Sequence, residues 1–229
     1  MHQITQLLGI IVLTVTLIAC DSSTENLTHG SKDKTHDATR YLIDSTPETP
    51  GKTLKPSFDC AKVESGSIEA TICDQPQLAK LDNQLATVYQ QALDNAGETS
   101  KTLKAIQRGW IKGRNDCWKS SDIVSCIENS YQYRIAELQA KYRLVTFKGP
   151  IRFVCDQNPK NEFFITFFET EPPTLIAERG DQTSLMYNVS SASGAKYQGQ
   201  NETFWEHQGE ALIVWGYQAP ELKCRQEAH

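Results

Sequence analysis

Two turn-like stretches carry the side chains best suited to chemistry. Ser193 lies in Ser191-Ala192-Ser193-Gly194-Ala195-Lys196-Tyr197, and His207 lies in Phe204-Trp205-Glu206-His207-Gln208-Gly209-Glu210-Ala211. A hydroxyl and an imidazole on adjacent loops admit two uses. One is nucleophilic hydrolysis, with Ser193 attacking and His207 as base. The other is recognition, with both groups offered to a partner. No nucleophile elbow accompanies Ser193. There is also no P-loop, no dinucleotide fingerprint and no metal-binding histidine pair. Besides His207, the histidines are His2, His29, His36 and His229, all in terminal or tether segments. The chain therefore reads as a non-enzyme with no cofactor and no metal site. As bare patterns the stretches are two polar turns on aromatic strands, because Ser-Gly favours a bend and Phe204-Trp205 favours a strand.

The elements that must position these residues are short strands. From residue 146 onward, Lys148-Gly149-Pro150 breaks the preceding pattern, and strand-like runs follow at 152–155, 163–168, 175–177, 184–189, 195–197, 203–207 and 210–215. That spacing predicts a small antiparallel β-barrel over residues 146–229. Cys155 and Cys224 lie at its two ends. A bond between them would close a loop of roughly 70 residues, worth about 4 kcal/mol in the chain-entropy model, and would secure the edges.

Residues 56–145 show helical periodicity instead. Leu78, Leu81, Leu85, Val88 and Ala92 form one face, Leu103, Ile106 and Trp110 a second, and Ile127, Tyr131, Ile135, Leu138 and Tyr142 a third. The expectation is a three-helix antiparallel bundle cross-linked by disulfides. Cys60, Cys73, Cys117 and Cys126 fall at element ends, and three pairings of them are possible. Their spacing, with no C-x-x-C, does not suit zinc. Asp82, Arg114 and Arg134 are positioned for ion pairs between helices. The fold class is thus α+β in separate domains.

The chain has 229 residues and a net charge of −5. Residues 56–145 carry eleven basic and eleven acidic residues, while 146–229 carry seven against eleven, a balance of −4. No basic run suggests nucleic-acid binding. An acidic barrel suits a basic partner, or simply keeps an exported domain soluble.

Seven cysteines are an odd number. Cys20 closes Leu17-Ile18-Ala19-Cys20 after an apolar run from Leu7, which resembles a bacterial lipobox. Residues 1–19 then read as a lipoprotein signal peptide, with Cys20 acylated as mature N-terminus. The alternative, an uncleaved membrane anchor, meets a run short of the roughly 20 residues that span a bilayer. Residues 20–55 are polar and aperiodic, a lipid-anchored flexible tether. The six remaining cysteines fit three disulfides in an oxidising compartment, on the periplasmic face of a bacterial membrane. Asp21 resembles an inner-membrane retention signal of some lineages, and the choice of membrane stays open.

Two family resemblances follow from these residues. Ser191 to Tyr197 with the later Phe204-Trp205 and Glu210-Ala211 resembles the membrane-bound inhibitors of C-type lysozyme. In the helical segment, Phe58-Asp59-Cys60-Ala61-Lys62, Glu69-x-x-Ile72-Cys73, Leu78-x-x-Leu81-Asp82, Gln107-x-x-Trp110-x-x-x-Arg114-Asn115-x-Cys117, Cys126 and Tyr131-x-x-Arg134-Ile135 resemble the LprI-like domain. The first resemblance implies that loops of the barrel enter the lysozyme cleft and contact its catalytic carboxylates. Ser193 stands at the family's serine. His207 stands at its lysine and Gln208 at its glycine, two departures from the pattern. The implied lysozyme-binding set is Ser193, Gly194, Lys196, Tyr197 and His207, with a protonated imidazole, or Lys196, replacing the ammonium. Tyr197 and Trp205 also suit a supporting role. The implied function is a lipid-anchored inhibitor of C-type lysozyme. The alternative is an envelope adaptor that binds peptidoglycan fragments.

Overall fold

The computed structural model describes residues 54–227. Cys20, the signal segment and all but the last two tether residues lie outside the described residues. Four α-helices come first: α1 (Ile68–Asp74), α2 (Pro76–Asn95), α3 (Ser100–Asn115) and α4 (Ile123–Lys141). The helix beyond the expected three is α1. Its two buried residues, Ile68 and Ile72, make too short a run to register as a periodic face. Ser67 caps it, its Oγ accepting the Ala70 N–H at 3.1 Å. Pro76 then opens α2 at a position where a missing N–H costs nothing. Asp122 caps α4, accepting the Ser125 N–H at 3.0 Å, and that bond holds its carboxyl below its ordinary value.

The bundle core joins Leu78, Leu85 and Val88 of α2 to Leu103 of α3 and to Ile127, Tyr131, Ile135 and Leu138 of α4. Its cysteines pair locally, Cys60 with Cys73 and Cys117 with Cys126. The first bond ties the entering chain to α1, and the second spans the α3–α4 connection.

A buried polar network crosses this core. Arg114 donates to the Tyr131 hydroxyl at 2.9 Å and to Glu69 at 2.6 Å. Tyr131 in turn donates to Asp82 at 2.8 Å, and burial raises its hydroxyl well above the usual tyrosine value. Asp82 also accepts from the Ser57 N–H and hydroxyl, each at 2.6 Å. Of the expected ion pairs between helices, Arg114–Glu69 joins α3 to α1. Asp82 meets hydroxyls and a backbone N–H instead, and Arg134 pairs with Glu137 of its own helix.

Eight antiparallel strands close a barrel in chain order: β1 (Phe147–Cys155), β2 (Asn158–Phe168), β3 (Thr174–Arg179), β4 (Gln182–Val189), β5 (Ala195–Gln198), β6 (Glu202–His207), β7 (Glu210–Trp215) and β8 (Glu221–Gln226). The strand missing from the sequence reading is β8. Its charged residues hide a period-two pattern in which Leu222 and Cys224 turn inward. β8 pairs with both β7 and β1, so it is the closing strand. Cys155 faces Cys224 in that register, and the two are bonded. Phe153, Phe163, Ile165, Leu175, Met186, Phe204 and Ile213 fill the interior, with Phe153 and Phe204 edge to face at 5.4 Å. The two apolar cores are separate, and α4 touches the barrel. Tyr133 packs on Tyr187 of β4 with ring centroids 4.7 Å apart, and the Tyr187 hydroxyl donates to the Tyr133 carbonyl at 3.3 Å.

Candidate functional site

The loop between β4 and β5, residues 190–194, presents Ser193. Three bonds shape it. The Ser191 hydroxyl donates to the carbonyls of Ser193, at 3.1 Å, and Gly194, at 3.0 Å. The Trp205 indole N–H, from β6, donates to the Ser193 carbonyl at 2.8 Å. The backbone of Ser193 is thereby clamped while its hydroxyl faces outward. Ser193 is exposed, and its Oγ has no hydrogen-bond partner among the described residues.

Gly194 makes this loop possible. Its φ is +67°, and a Cβ there would lie 2.2 Å from the Glu206 carbonyl oxygen and 3.1 Å from the His207 Cβ. The loop therefore rests directly on the end of β6. Only a residue without a side chain fits at that approach.

His207 ends β6 and faces Glu210 across a two-residue hairpin. Gln208 and Gly209 at the tip both have positive φ, 56° and 80°. That is the left-handed pair a tight turn of this kind needs. Gln208 thus takes a glycine-like conformation despite its side chain. The Glu206 carboxylate steadies the turn by accepting the Gly209 N–H at 2.8 Å. His207 is exposed.

The structure brings Ser193, Gly194 and His207 together at one end of the barrel. Ser193 and His207 both line a groove of about 1080 Å³ that runs over β1, β7 and β8. Asp156, Glu210, Glu221 and Glu227 line it, against Lys223 and Arg225. Lys196 is not among the residues that line the groove; its ammonium lies 5.5 Å from the ring centroid of Trp205, which does line it. Tyr197 is turned inward. It is 8% exposed, and its ring packs on Phe167 and Phe204, so it supports the loop from inside the barrel. Burial raises its hydroxyl above the ordinary value, against a lowering bond with Asn188. The sequence reading missed Ser191, Glu206 and the acidic groove wall. Ser191 and Glu206 flank turn residues, which is a readable signal. The wall assembles only when β8 meets β1. Among the described residues no three His, Cys, Asp or Glu side chains gather to hold a metal, and no helix is long and apolar enough to cross a membrane.

The lysozyme inhibitor LprI family matches residues 60–138, and the family described as membrane-bound lysozyme-inhibitor of c-type lysozyme matches residues 153–222. Lipoprotein LprI of Mycobacterium tuberculosis (strain ATCC 25618 / H37Rv) is 32% identical over 172 residues, covering 72% of this chain and 82% of the relative. Lipoprotein LprI of Mycobacterium bovis matches with the same figures. The chain belongs to the LprI family. The aligned stretch covers 72% of the chain, so wherever it begins it includes most of the helical unit and the start of the barrel. The chain is thus an LprI-type helical unit followed by a barrel of the second family.

Proposed function

We propose that this protein is a lipid-anchored, non-enzymatic inhibitor of C-type lysozyme, held at the periplasmic face of a bacterial membrane through Cys20. The barrel blocks the lysozyme cleft. The Ser193 loop enters first, and its hydroxyl donates to a catalytic carboxylate. The His207 hairpin approaches the second carboxylate as an imidazolium. The observation that carries this is the clamped Ser193 loop: its carbonyl is used internally, its hydroxyl is free, and His207 lies against it. Two matched families described as lysozyme inhibitors and relatives named lipoproteins support the same reading. So does the barrel's charge of −4, which would speed encounter with a basic enzyme.

The test is lysis of a bacterial suspension by hen-type lysozyme with the purified folded chain added. The wild-type chain slows lysis in a saturable way. Ser193→Ala removes a charge-assisted hydrogen bond and weakens inhibition about 10- to 100-fold. His207→Lys strengthens it, because an ammonium keeps its charge throughout the neutral range. Unchanged inhibition constants in both variants remove these loops from the mechanism.

A further inference from the structure

We infer that the face which meets lysozyme does not end with the barrel: it runs across β4 onto α4, where Tyr133 is a contact residue supplied by the helical unit. This rests on the lysozyme-inhibitor reading of the Ser193 loop and widens its footprint.

A specific protein–protein interface covers about 800 Å² on each partner, or about 20–30 residues. The two turns that carry Ser193 and His207 span only residues 190–194 and 208–209. They are too few to make such an interface, so neighbouring surface must take part.

Strand register fixes what lies beside the loop. Met186, Tyr197, Phe204 and Ile213 belong to the barrel core, so Tyr187, Val189, Lys196, Trp205 and Leu212 point outward. Val189 stands opposite Lys196, Lys196 opposite Trp205, and Trp205 opposite Leu212. One row of side chains therefore crosses β4, β5, β6 and β7, and Val189–Lys196 is its last pair before the loop. Trp205 and Leu212 line the groove that Ser193 and His207 share. The ammonium of Lys196 is held over the Trp205 ring. At the other end of the row Val189 is 36% exposed, and Tyr187 packs on Tyr133. Aromatic and apolar side chains of this kind are what interface cores favour.

The helix at that end is fixed in place. Tyr133, Ala136 and Ala140 share one face of α4, three and four positions apart. Both alanines are fully buried, while Ile127, Tyr131, Ile135 and Leu138 fill the bundle core from the opposite face. α4 thus lies between the bundle core and the outer side of β3 and β4. The Tyr187 hydroxyl ties the Tyr133 carbonyl down. Tyr133 nonetheless keeps 45% of its surface open. A tyrosine held this way offers contact area at low entropic cost. Tyr217 is more open still, at 77%, but it lies in the β7–β8 loop. In a barrel wound in chain order that loop is at the end away from Ser193, which makes Tyr217 the matched control.

The test uses the full folded chain with hen-type lysozyme. Hydroxyl-radical footprinting should show Tyr133 and Val189 losing most of their reactivity in the complex, and Tyr217 keeping its own. Tyr133→Ala should weaken inhibition about five- to tenfold. Tyr133→Phe, which keeps the ring, should stay within about threefold of the wild type. Tyr217→Ala should change nothing. A purely structural role would weaken Tyr133→Ala yet leave Tyr133 as reactive in the complex as in the free chain, and that result overturns the inference. So does full inhibition by Tyr133→Ala. If Ser193→Ala is impaired in either case, the loop reading stands without the wider footprint. A wild-type chain that neither binds nor slows lysozyme overturns both. If Tyr133→Ala does not fold, the footprint of the wild-type complex decides.

Discussion

Replacing Gly194 by alanine would place a methyl group where the β6 backbone already stands. The new carbon would lie 2.2 Å from the Glu206 carbonyl oxygen and 3.1 Å from both the Glu206 carbonyl carbon and the His207 Cβ. None of these is the far end of a flexible side chain: two are backbone atoms, and a Cβ stays where it is when its side chain turns. The hairpin must open locally, at the Ala195–Glu206 pair. The cost has two parts. A left-handed backbone with a side chain costs about 1–2 kcal/mol. Opening the pair and losing the Trp205 bond to Ser193 adds about 1 kcal/mol for each hydrogen bond lost. The total is about 3 kcal/mol. Gly209→Ala is the matched control, because its φ is +80° and a Cβ there meets nothing within 4 Å. It should bear only the backbone part. The assay is native-state hydrogen exchange at the Phe204 and Ile213 amides, which report opening of the barrel core, with Trp205 fluorescence for the loop. Gly194→Ala should lose about 1–2 kcal/mol more than Gly209→Ala and weaken lysozyme inhibition with it. Equal losses, within about 0.5 kcal/mol, would refute the close approach of the loop to β6.

Other consequences can be measured on the same protein. Removing the Cys155–Cys224 bond with paired alanines frees a sequence separation of 69 residues and should lower barrel stability by about 4 kcal/mol, read by urea unfolding. Arg114→Met leaves Glu69, Tyr131 and Asn115 without their shared donor. It should destabilise the bundle by about 3 kcal/mol, read as exchange at α2 and α4 amides, while the barrel amides stay protected. Burial raises the Glu137 carboxyl, but Lys141 and Arg134 outweigh it and hold it below the ordinary value. A carboxyl lowered in the folded state adds stability above the unfolded value of about 4.3, and that stability is lost as pH falls through the lower folded value. Glu137→Gln should therefore flatten the stability curve of the bundle below about pH 4.

Most of the architecture was legible because the two halves differ in period. Leu78, Leu85, Val88 and Ala92 repeat as a helix face does, and all four are buried on α2. Phe163 and Ile165, or Phe204 with Trp205 beside it, alternate as strands do. Short elements escaped that test. Two isoleucines on α1 and two inward residues on β8 are too few to display a period, although β8 completes the barrel. The candidate site was legible as residue types: a serine before a glycine, and a histidine in a polar turn. Its support was not. Trp205 reaches the Ser193 carbonyl across 12 positions of sequence, and Gly194 is required by contact with Glu206 as well as by its own positive φ.

The amino-acid order alone determined the helical and barrel segments, the exposure of a serine and a histidine on turns, and the four bundle cysteines with three pairings open, because these follow from local periodicity and residue chemistry. Tertiary structure decided that Tyr197 points into the core, and that Cys60 pairs with Cys73 and Cys117 with Cys126. Each of those depends on which distant surface a side chain meets when the sheet closes or the helices pack, and no window of neighbouring residues contains that information.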